Sequence, residues 1–176
     1  MATFRDYDWR TLSENVWRLI GNDWMLVTAG SMASWNTMTA SWGGFGHLWN
    51  MDVVFAFVRP SRHTLSFMEK NEGFTIAFLG PERRDVLQVC GSTSGRDTDK
   101  AAVAKITPRL FAAPDIPGRV SFEEARLVLS CRKVHAQDLD PRGFIDPRIA
   151  ANYTGGDLHR LYVGAVEAAW ETERQR

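Results

Sequence analysis

The 176 residues include 21 Lys plus Arg and 21 Asp plus Glu, so the formal net charge is zero, with 44% hydrophobic and 24% charged residues. That balance belongs to a folded chain long enough to bury a core. It argues against a disordered tail protein, and it supplies no charge excess that would draw the chain onto nucleic acid or an acidic membrane.

Near the N-terminus, Arg5, Asp6 and Asp8 fall where a signal peptide needs an apolar core. Thr11 to Ile20 is predicted as a helix: Leu12, Val16, Leu19 and Ile20 recur at helical spacing, Thr11 and Glu14 form a capping box, and Gly21 ends it. Trp24 to Ala29 is a buried strand. After a Gly/Ser turn, Trp35 to Trp42 alternates as a second strand, broken by Gly43, Gly44 and Gly46. Val53 to Val58 is a continuous apolar strand ended by Arg59-Pro60, of strand length and far short of a membrane span.

Ser61 to Asn71 is predicted as a short helix stopped by Gly73, Phe74 to Leu79 as a strand, and Glu82 to Cys90 as a helix ended by Gly91. The loop Gly91 to Asp97 leads to a weakly helical stretch, Thr98 to Lys105. Pro108, Pro114 and Pro117 mark an irregular connector. Ala125 to Ala136 and Leu161 to Trp170 are the longest strand candidates, and Asp140-Pro141 and Asp146-Pro147 punctuate the loop between them. Strands outnumber helices, and the helices lack βαβ alternation. The expectation is a mainly β, closed or partly closed barrel with peripheral helices, in one domain spanning 1–176.

Several chemistries have no signature here. The sequence holds no His-Glu-x-x-His pair, no phosphate loop ending in Gly-Lys-Ser/Thr, no Gly-x-Gly-x-x-Gly after a strand and no serine in a nucleophile elbow. His47, His63, His135 and His159 have no ligand-like spacing, so no metal is expected. Cys90 and Cys131 form neither a disulfide framework nor a metal pair and read as buried small hydrophobes, consistent with a reducing cytoplasm. If the chain is an enzyme, a cofactor carries the hard chemistry.

Three segments suit a phosphorylated, planar ligand. In Asn36 to Trp42, alternation puts Thr37, Thr39 and Ser41 on one face and Met38, Ala40 and Trp42 on the other. Small side chains there would let a flat ring approach the backbone, although a half-exposed edge strand gives the same pattern. Arg59-Pro60-Ser61-Arg62-His63-Thr64 ends a strand and opens a helix, which suits a phosphate or a plain helix start with Ser61 as N-cap. Gly91 to Lys100, with Ser94, Gly95 and Lys100, suits an anion and equally a surface turn.

Taken in order, the strings NTMTASWGGFGHLWN, VRPSRHT and GSTSGRDTDK, followed by Gly156-Asp157-Leu158-His159, resemble the succession found in the flavin reductase-like, FMN-binding split-barrel family. The resemblance runs from about Trp24 to Val166. It departs where the family often has Gly-Leu-Thr-Pro and this chain has Lys105-Ile106-Thr107-Pro108. The resemblance implies a Greek-key split β-barrel, a homodimer, and one FMN near the interface. Carried over by residue, Asn36, Thr37, Met38, Thr39, Ala40, Ser41 and Trp42 would line the ring and ribityl chain. Arg59 and Thr64 would hold the phosphate, with Ser94, Gly95 and Lys100 closing the site. His159 would stand on the donor side, where an ordinary imidazole titrates near neutrality and could move a proton. The implied activity is NAD(P)H-dependent flavin reduction through bound FMN, with a nicotinamide as transient donor. A flavoredoxin-like carrier reduced by a protein partner is the alternative, and a flavin-free interaction module is a third reading.

Overall fold

The computed structural model describes residues 2–173. Ten strands and four short α-helices follow one another along it. β1 (Phe4–Asp6) leads to α1 (Val16–Arg18), then β2 (Met25–Ser31), β3 (Ser34–Ala40), β4 (Gly43–Leu48) and β5 (Met51–Val58). α2 (Thr64–Lys70), β6 (Gly73–Leu79), α3 (Arg84–Ser92) and α4 (Lys100–Ala104) come next, then β7 (Pro108–Ala113), β8 (Ile116–Phe122), β9 (Ala125–Asp138) and β10 (Arg160–Thr172).

Eight strands make one antiparallel sheet in the order β3-β2-β6-β9-β10-β5-β4, and β1 lies beside the far end of β10. The two terminal strands of that order, β3 and β4, are joined only by Ser41 and Trp42. So short a link holds the two edge strands side by side at the turn and makes the sheet curl, while leaving them unpaired with each other. Gly43 sits at the seam: a Cβ there would lie 2.7 Å from Met25 Cε and 2.7 Å from Phe55 O.

Alternation then sorts the strands into an inside and an outside. Val27, Met38, Val54, Ile76, Leu129 and Tyr162, from six different strands, share one core inside the curl. The opposite faces of β2, β6 and β9 pack Leu26, Ala77 and Val128 against Val86, Leu87 and Cys90 of α3 and against Phe111 and Phe122 of the β7–β8 hairpin. β6 is therefore buried on both faces. Its outward Thr75 hydroxyl donates to Val120 O at 2.7 Å, which satisfies the one polar side chain in that strand.

The local sequence signals need four corrections. The expected Thr11–Ile20 helix is α-helical only over Val16–Arg18 and widens into a π turn over Leu19–Asp23, running through Gly21. Asn15 is the cap, accepting from Arg18 N at 3.1 Å. Glu14 forms no capping box because Arg126 on β9 takes its carboxylate with two bonds of 2.7 Å. Gly43, Gly44 and Gly46 do not end the sheet; they lie within β4, in register with Ala56, Phe55 and Val53. The proline-marked connector is a hairpin, β7 with β8, turning at Pro114 and Asp115, the latter with φ of 62°. Its prolines are tolerated because a two-stranded sheet leaves outer edges unpaired. α2 starts at Thr64 rather than Ser61, after a tight turn closed by Arg62 N to Arg59 O. No helix among the described residues is long and apolar enough to cross a membrane.

Candidate functional site

Where β3 runs into β4, two small clefts lie end to end and share Met38 and Arg62. The first, about 220 Å³, is floored by the β3–β4 link from Met38 to Trp42 and walled by Phe57, Arg59 and His159. The second, about 100 Å³, is lined by the Ser61–Thr64 turn, the Ser92–Gly95 segment and Lys100. The larger half carries the aromatic rings of Trp42, Phe57 and His159. The other is small and dense in hydroxyls and cations.

β3 offers its backbone to this site. Among the described residues it pairs with β2 alone. Lys100 Nζ donates to Thr37 O at 2.7 Å, so the Thr37 carbonyl points away from β2. In an antiparallel strand a residue's N–H and C=O point to the same side and alternate by two, so Thr39 also faces the unpaired edge. The side chains are placed otherwise. The Thr37 hydroxyl is 2.8 Å from Thr28 Oγ1, and Thr39 Oγ1 donates to Leu87 O at 2.6 Å. The hydroxyl face seen in the sequence is thus committed to neighbouring elements, and the small residues leave a bare backbone rail.

Asn36 is buried, donating from Nδ2 to Thr64 Oγ1 at 2.8 Å. Gly95 packs directly on it: a Cβ on Gly95 would lie 2.0 Å from Asn36 Oδ1. Lys100, 5% exposed, spends its ammonium on Thr37 O and, at 2.9 Å, Cys90 O, and burial holds its pKa below the usual lysine value. It ties the end of α3 to the rail. Cys90 and Cys131 are both buried, and desolvation pushes the Cys90 thiol up to about 11.

Arg59 lines the larger half. Its guanidinium donates to Asn152 O at 3.0 Å and Asp157 O at 3.3 Å and lies 5.1 Å from the Tyr153 ring centroid, which straps the 140–157 segment to the barrel. Asp157 accepts from Ser61 N and Ser61 Oγ at 2.9 and 2.6 Å. Arg62, which the sequence reading did not single out, reaches both halves while donating to Gly91 O at 2.7 Å. His63 was also passed over. Among the described residues its Nδ1 is buried without a partner in the small half, and burial, then Arg96, lowers its pKa.

His159 is 8% exposed, its Nδ1 2.9 Å from the Tyr153 hydroxyl and its ring 5.1 Å from Trp42. Burial, with Arg59 as the next cause, pushes its pKa down to about 4. The expected titration near neutrality therefore gives way to a neutral imidazole at pH 7.

All thirteen residues expected at the site fall in or against these two clefts, drawn from β3 and its link to β4, the residue after β5, α2, the segment after α3, α4 and the residue before β10. A larger cavity, about 860 Å³, lies apart, between the N-terminal segment and the start of α3. Its charges are mostly paired with each other, as in Glu14 with Arg126 and Arg18 with Asp23, and they do not converge on a ligand. No cluster of metal-ligating side chains occurs among the described residues.

A curled antiparallel sheet with a backbone rail at its seam, opening beside a cationic end pocket, defines an open-seamed β-barrel. The chain belongs to the flavin reductase-like domain family, whose model matches residues 17–176. The solved FMN-binding domain of a flavin reductases-like enzyme from Shewanella baltica is 18% identical, with a TM-score of 0.68 over 97% of this chain and 78% of its own. A flavoredoxin from Methanosarcina acetivorans is 21% identical, with a TM-score of 0.62 over 87% and 69%. An NADH:FAD oxidoreductase from Streptomyces globisporus is 16% identical, with a TM-score of 0.59 over 86% and 78%. No curated protein matches the sequence.

Proposed function

We propose that the chain is an FMN-binding oxidoreductase, an NAD(P)H-dependent flavin reductase. The observation that carries the reading is the pairing of an aromatic cleft on the β3 rail with a cationic pocket that holds an orphaned buried nitrogen, His63 Nδ1. Those groups fit the two ends of FMN. The backbone of Thr39 and Ser41 would bond ring heteroatoms, with Met38, Ala40 and Trp42 against the ring. Arg62, Ser94 and the turn at Thr64 would take the phosphate, where an Arg guanidinium gives charge-assisted bonds and His63 gains the partner it lacks. Asn36, Gly95 and Lys100 would act one layer behind, holding the rail and the loop at their spacing.

FMN, when bound, supplies the redox chemistry, taking electrons from a nicotinamide donor and giving them to flavin, iron or another acceptor. The chain's part is to orient the ring, exclude water from one face and offer donors where negative charge accumulates. The homodimer expected from the resemblance and the cytoplasmic location expected from the cysteines belong to the same proposal, and the exposed Trp17 and Trp42 beside the cleft support the dimer.

The test is an FMN titration followed by anaerobic addition of NADH or NADPH. Binding followed by bleaching supports a reductase. A flavoredoxin-like carrier is the second reading, motivated by the likeness to the Methanosarcina protein. Binding with bleaching only by a reduced ferredoxin-type protein would favour it over the first.

A further inference from the structure

His159 is not free to turn. Its ring is bounded by Trp42 at 5.1 Å and by Phe57 at 6.3 Å, edge on, with Tyr153 at 5.6 Å on a third side. Tyr153 is itself fixed. Phe144 stacks on it at 5.6 Å with 19° between planes, and the Arg59 guanidinium covers it at 5.1 Å. The only hydrogen bond to the imidazole among the described residues joins Nδ1 to the Tyr153 hydroxyl at 2.9 Å.

We infer that Tyr153 is a positioning residue: its hydroxyl donates to Nδ1 of His159 and fixes the imidazole as the Nε2–H tautomer, with that N–H presented to the cleft. A phenol is a good donor and a poor acceptor, whereas an unprotonated imidazole nitrogen is a good acceptor, so the proton in this pair belongs to tyrosine. Burial raises the Tyr153 pKa, which keeps the phenol protonated. The charged groups around the ring are Arg59, Arg62 and Asp157, and both arginines disfavour an added positive charge on it. His159 thus works as a fixed neutral donor. It keeps its proton and offers a hydrogen bond that strengthens as its acceptor gains negative charge.

The identity of that acceptor rests on the flavin reading above; the tautomer does not. Nitrogen-edited NMR of the imidazoles in flavin-free protein at pH 7 reads the tautomer directly. Wild type is expected to show His159 as a single Nε2–H species. Tyr153→Phe keeps the ring between Phe144 and Arg59 and is expected to show an Nδ1–H fraction. In FMN-loaded protein the same variant is expected to slow flavin bleaching by about two- to ten-fold, the worth of one neutral hydrogen bond, with FMN affinity unchanged. An Nδ1–H tautomer in wild type, or unchanged tautomer populations in Tyr153→Phe, would overturn the inference. A wild-type protein that takes up no FMN would overturn the flavin reading and leave the tautomer result intact.

Discussion

At the scale of residues, charge and burial set what each group can do. Arg59 and Arg62 are three positions apart, yet one faces the 140–157 segment and the other the small pocket. Arg62→Ala is expected to weaken FMN about ten- to 150-fold, one to two lost bonds to a charged group, and to leave riboflavin nearly unchanged. Arg59→Ala, which unstraps the segment beside the ring, is expected to weaken both ligands alike. Isothermal titration with the two flavins separates the roles, and a phosphate-selective loss for Arg59 would return it to the phosphate. His159 carries a pH consequence. Its folded pKa, about 4, lies below the ordinary 6.5, so the unfolded chain binds more protons between those values. Its contribution to stability is full above about pH 6.5 and is lost as pH falls to about 4. Wild type should lose more urea resistance over that window than His159→Gln does, measured by denaturation midpoints at both ends.

At the scale of elements, the site is three segments held against β3. Lys100 is the main tie, and Lys100→Met would leave the Thr37 and Cys90 carbonyls buried and unpaired, at roughly 1–3 kcal/mol each. Thermal unfolding should show that loss, together with faster amide exchange at the end of α3. Gly95→Ala would drive a methyl group into Asn36 and part it from Thr64, so FMN affinity should fall although no phosphate-facing group is removed. The strand itself was legible from the alternation in Asn36 to Trp42. Which face lies open toward the cleft was not, because alternation separates two faces without saying which one a helix will cover. α3 covers the threonine face, and Leu87 O takes the Thr39 hydroxyl.

At the scale of the whole molecule, Trp17 is 85% and Trp42 43% exposed, flanking a groove of about 560 Å³ that adjoins the aromatic cleft through Ser41 and Trp42. The homodimer proposed above is expected to bury this surface. Light scattering should give twice the chain mass at micromolar concentration, and Trp17→Asp should shift it toward monomer and lower FMN retention. A wild-type monomer that still holds FMN tightly would remove the dimer from the proposal.

By itself the sequence determined where β2, β3, β5, β6, β9 and β10 fall, the mainly β class and the order of the site segments, because apolar runs and turn residues act over a few neighbours. The glycine-rich β4 and the proline-marked β7–β8 hairpin escaped it: their local signals favour breaks, and pairing with β5 and with each other overrides them. The capping box at Thr11 failed for the same kind of reason, since Arg126, 112 residues away, took Glu14. Only the tertiary structure decided that Lys100 faces carbonyls, that Arg62 rather than Arg59 reaches the small pocket, and that His159 is neutral. Each of these depends on desolvation and on partners from distant elements, which no local pattern encodes.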